Sequence, residues 1–101
     1  MTPEFVDQFI DVIYKMVVEI LEEESNLGHH LKSAVMADVL TRYDLVFEDS
    51  EKHYRYVHEC CRRSKKLVNL INQREAEGYK LVFHIMSDLA TRHELFFEKE
   101  Q

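Results

Sequence analysis

The chain has 101 residues, 46% apolar and 32% charged, which excludes a disordered polyelectrolyte and bounds it to a single domain with one modest core. Its net charge of −6 is uneven: residues 1–50 carry three basic and eleven acidic side chains, residues 51–101 ten basic and eight acidic. The two halves are therefore expected to attract one another, and the acidic total argues against nucleic acid as a partner.

One proline and two glycines leave few places to interrupt a helix. Thr2 before Pro3 reads as an N-cap with proline at the first helical position, which predicts a helix over 3–25. Gly28 stops it, and a second helix is predicted over 29–48. Asp49 or Ser50 caps a third, running to 76. Gly78 ends that one as Gly28 ends the first, and a fourth occupies 79–99. Short connections make successive helices antiparallel neighbours. The expected fold is therefore all-α, an up-down-up-down four-helix bundle of two tandem helical hairpins filling residues 1–101.

An internal echo supports two equivalent units, residues 1–50 and 51–101. Gly28, Leu31, Met36, Asp38, Thr41, Arg42, Leu45, Phe47 and Glu48 recur fifty positions later as Gly78, Leu81, Met86, Asp88, Thr91, Arg92, Leu95, Phe97 and Glu98. Nine ungapped identities in a 21-residue window imply one supersecondary unit used twice, each copy with an apolar face it cannot bury alone.

The first helix has more apolar surface than a bundle needs. Its side chains from Phe5 to Leu21 cover well over half the circumference, against an arc of little more than ~100° for an ordinary bundle helix. Ile10, Tyr14, Val18 and Leu21 are the expected surplus, with Leu45 and Leu95, apolar on a polar face, as a second surface. These six define the predicted interaction site. The function expected is a small cytoplasmic protein–protein interaction module (adaptor, chaperone-like binder or regulator) that forms a homodimer. No apolar run approaches the ~20 residues of a membrane span, and Met-Thr-Pro-Glu does not open a signal peptide.

Chemistry is sparse in comparison. Six histidines invite a metal reading, yet no HExxH, CxxC or CxxCH motif is present and no glutamate precedes a histidine by three. His58, Cys61 and His93 form the weaker alternative, a metal- or cofactor-binding bundle. His93 is read primarily as a hydrogen-bonded core residue. Cys60 and Cys61 stand beside Arg62, Arg63, Lys65 and Lys66, which would lower a thiol pKa, although plain packing is the simpler use. Arg55, Arg62 and Lys66 would form a basic stripe on the third helix. No nucleophile–base pair, paired catalytic carboxylates or phosphate loop can be assigned, so neither an enzyme nor a cofactor is expected.

Overall fold

The computed structural model describes residues 3–37, 42–88 and 90–101. The order of elements is α1 (Pro3–Asn26), β1 (His29–Ala37), β2 (Arg42–Asp49), β3 (Tyr54–Cys61), α2 (Ser64–Ala76), β4 (Lys80–Ser87) and β5 (Arg92–Glu100). The described residues form two helices and five antiparallel strands, a mixed α and β architecture that overturns the four-helix bundle. The first predicted helix stands as α1, while its cap Thr2 lies outside the described residues. The second and fourth are β-hairpins, and the third is strand β3 followed by the shorter α2. The repeated unit is accordingly helix–strand–strand rather than a helical hairpin.

Composition explains the substitution of strands for helices. Segments 29–48 and 79–99 are rich in valine, threonine, tyrosine and phenylalanine, which pack well on a pleated surface and lose rotamer freedom in a helix. The turn of the second hairpin contains neither glycine nor proline: Asp88 and Ala90 take the left-handed conformation (φ 49° and 64°), and the Thr91 N–H closes it on the Ser87 carbonyl, 3.1 Å away. Aspartate tolerates that region through its short polar side chain; alanine does so at a cost. The equivalent segment, Asp38 to Thr41, lies outside the described residues.

The duplication is visible in detail. Gly28 and Gly78 both adopt positive φ (85° and 91°) where a helix turns into a strand. Their N–H groups bond to the carbonyls of Ser25 and Glu75, fifty residues apart, at 3.1 and 3.0 Å. Each hairpin then carries a register shift at the same place, between Leu31 and Ser33 in one and between Leu81 and Phe83 in the other. A bulge re-aims every later side chain, so its repetition preserves which residues face the helix.

β1 and β2 form a two-stranded sheet, and β3, β5 and β4 a three-stranded one in that order, with β5 central. Register puts Tyr54, Tyr56, His58 and Cys60 of β3 on one face of the larger sheet, with Arg92, Glu94, Phe96 and Glu98 of β5. α1 and β1 cover that face. Tyr14 of α1 lies against His58 and Phe96, and the His30 ring of β1 stacks on Tyr54 at 4.0 Å. α2 covers the opposite face, where Leu95 and Phe97 are wholly buried and Arg74 bridges to Glu59 of β3. β3 is an edge strand, and α1 occupies its free donors: the Tyr54 N–H donates to Ser25 Oγ at 2.6 Å, and the Tyr56 N–H to Glu22 Oε1 at 3.2 Å. Such cover keeps an edge from pairing with another chain.

The core gathers Tyr14, Val17, Leu21, Leu31, Tyr56 and Phe96. Fifty positions before Phe96 stands Val46, on the outer face of the β1–β2 hairpin, which neither helix covers; Phe96 is 0% exposed and Val46 49%. Phe96→Ala is expected to lower the unfolding free energy by about 3–5 kcal/mol, as for other large-to-small core changes. Val46→Ala should change it by less than about 0.5 kcal/mol, as at other exposed sites. Urea denaturation of the two variants measures the difference.

Candidate functional site

The predicted interaction residues fall in the interior. Tyr14 (4% exposed), Leu21 and Leu95 are buried, while Ile10, Val18 and Leu45 are half-buried against the same core. The exposed apolar surface of α1 is a different stripe: Val12, Ile13, Met16 and Ile20, from 38% to 59% exposed. The surplus on this helix was legible in the sequence, but which side faces solvent was not. That depends on where the sheets lie.

The residues of the metal alternative are separated. His58 and Cys61 would be neighbours on a helix, but three positions along a strand put them on opposite faces. The His58 ring stacks on Tyr14 and its Nε2 pairs with Glu94 Oε1 at 2.8 Å. Cys61 lies across from His93 on the α2 side. His93 Nδ1 and His84 Nε2 are 2.8 Å apart, sharing one hydrogen bond. Among the described residues no group of three or more His, Cys, Asp or Glu side chains could hold a metal ion.

Two buried glutamates organise the face under α1. Glu94 receives hydrogen bonds from Ser87 Oγ and Arg92 Nε, besides its pairing with His58; Arg92 also pairs with Asp11 of α1. Glu98 accepts from Tyr56 Oη at 3.1 Å and pairs with His30 Nε2 at 2.9 Å. Burial and the adjacent Glu98 push the Tyr56 phenol far above its ordinary value. Every buried side-chain polar atom among the described residues has a partner. Losing one member of such a network leaves an uncompensated charge, at a cost of about 3–5 kcal/mol.

Beside Arg92 opens a cleft of about 480 Å3 lined by Asp11, Cys60, Cys61, Arg62, Arg63, Lys66 and Arg92. β3 supplies the cysteines, the β3–α2 junction Arg62 and Arg63, the first turn of α2 Lys66, and β5 Arg92. Arg62 is tied to Asp88 and Thr91, each at 2.9 Å. The basic stripe expected on one helix does not exist. Arg55 sits in β3 beside Tyr79 and Lys99, around a separate pocket, whereas Arg62 and Lys66 belong to this cleft. Burial pushes the thiols of Cys60 and Cys61 above their ordinary value, despite Arg92 near the first and Lys66 near the second. Both are protonated at neutral pH, so the basic neighbours do not make either an activated nucleophile.

No helix among the described residues is long and apolar enough to cross a membrane. Among known proteins, no family model, curated protein or solved structure matches this chain.

Burial, then the neighbouring His93, holds the His84 imidazole below its ordinary value of 6.5, so the folded state binds its proton less readily than the unfolded chain. This contribution to stability is complete above that value and is lost as pH falls through it toward the lower folded-state pKa. His84→Gln is expected to flatten this part of the stability–pH curve, measured by urea denaturation at several pH values between neutrality and the acid limb.

Proposed function

We propose that the protein is a non-catalytic protein–protein interaction module that works as a homodimer, joined through the solvent-facing stripe of α1. The observation that carries this reading is the exposure of Val12, Ile13, Met16 and Ile20 together on a helix whose opposite stripe already fills the core. Their spacing, i, i+3/i+4 and i+7/i+8, is that of a helical contact seam. A seam of four large apolar side chains is a costly surface to leave in water, at roughly 25 cal/mol per Å2 of apolar area.

Charge favours a second copy of this chain over an unrelated helix. Lys15 is the only basic residue of α1, and Glu19 stands one turn further along the same border of the seam. Antiparallel packing of two α1 helices about Met16 and Val17 brings Lys15 of one copy near Glu19 of the other, twice by symmetry. Cys60 and Cys61 are both free thiols, which supports placing the protein in a reducing compartment such as the cytoplasm.

Light scattering over a wide concentration range is expected to report about twice the chain mass of 12.1 kDa. Met16→Glu and Ile20→Glu alter exposed positions, so circular dichroism should be unchanged while the mass falls to that of one chain. A wild-type mass of a single chain throughout, or variants that stay dimeric, overturns the proposal.

A further inference from the structure

We propose that the cleft between β3, β5 and the first turn of α2 binds the phosphate group of a phosphorylated small molecule, with Arg63 and Lys66 as its principal ligands. Four of the seven lining residues are cationic and one is a carboxylate, in a chain whose net charge is −6. The pairing within the cleft is selective. Asp11 and Glu94 are engaged with Arg92, and Asp88 with Arg62. Neither Arg63 nor Lys66 pairs with a carboxylate among the described residues, and these two carry the charge left over.

A second observation comes from α2 itself. The helix has no acidic residue in its first turn and no side-chain cap, and Lys65 and Lys66 stand at its positive end. Cations at a helix N-terminus are unfavourable, typically by 0.3–1 kcal/mol each, so this arrangement breaks a local rule of helix design. Such breaks are found where a site is being built. An anion seated between Arg63 and Lys66 would reverse the sign of the interaction.

The size of the cleft selects the class of ligand. At about 480 Å3 it falls within the range of small-molecule sites and leaves most of its space unfilled by a lone phosphate. The arginine fork suits a phosphomonoester better than a single carboxylate, because it donates two parallel hydrogen bonds. The side of the cleft away from α2 is formed by Cys60 and by Asp11 with Arg92, where the rest of the molecule would lie.

The test titrates the full chain with pyrophosphate and with glycerol phosphate at constant ionic strength, followed by calorimetry. Saturable binding is expected, weakened about tenfold for each of Arg63→Ala and Lys66→Ala, as for loss of one charge-assisted hydrogen bond. Arg55→Ala, beside the separate pocket, should leave it unchanged. Because Cys60 is exposed in the cleft, bound pyrophosphate should also slow its alkylation by iodoacetamide. No saturable binding, or binding that both cleft variants retain, overturns the proposal. So does tighter binding of a single-stranded oligonucleotide through the same two residues, which would make the site a polyanion surface.

Discussion

Strand β5 is covered on both faces, yet it carries Arg92, Glu94 and Glu98 into the interior alongside Leu95, Phe96 and Phe97. Buried charges at these positions are tolerable only if neighbouring elements bring complementary groups to them. Each neighbour does so: Asp11 from α1, Tyr56 and His58 from β3, Ser87 from β4 and His30 from β1. Hydrophobic burial supplies most of the driving force, but it is non-directional. The hydrogen-bonded network on β5 is what holds α1 and the β1–β2 hairpin in one arrangement over the sheet.

The duplicated unit therefore has two different surroundings. In the second copy, β5 lies between β4 and the added strand β3, and both of its faces are covered. In the first, β2 pairs among the described residues with β1 alone, and the outer face of the hairpin carries Val35 and Val46 exposed. A two-stranded hairpin is marginal by itself, so the first copy depends on the larger sheet for its stability. This asymmetry also separates the two proposed surfaces. The apolar stripe belongs to α1 of the first copy, the cationic cleft to the β3–α2 junction that opens the second.

Charge follows the same division. The acidic first half and basic second half are not segregated into facing slabs; selected pairs cross between them, notably Asp11 with Arg92 and His30 with Glu98. Among the described residues that line the cleft, the basic side chains without a carboxylate partner, Arg63 and Lys66, stand at the N-terminal end of α2. The acidic residues of α1 divide between work and solvent: Glu22 covers the edge of β3, Glu24 pairs with His29, and Glu23 is exposed.

The sequence by itself determined the existence of a duplicated unit, the extent of α1 and the two glycine turns, because each rests on local chemistry: identity at fixed spacing, proline at a helix start, and positive φ after a helix end. It did not determine whether the echoed segments are helices or strands. Val82 to Ser87 and Leu95 to Glu98 face neighbours on both sides, so they lack the polar–apolar alternation that marks a half-buried strand, and a short apolar run is compatible with either structure. The turn of the second hairpin, made from aspartate and alanine, carried no glycine to announce it. Tertiary structure decided these points, and it decided which stripe of α1 is core and which is surface. Apolar residues surround most of that helix, and only the position of β1, β3 and β5 selects Tyr14, Val17 and Leu21 for burial while leaving Met16 and Ile20 in water. The cleft, too, is invisible in the chain, because Asp11, Cys60 and Arg92 come together only when α1 packs on β3 and β5.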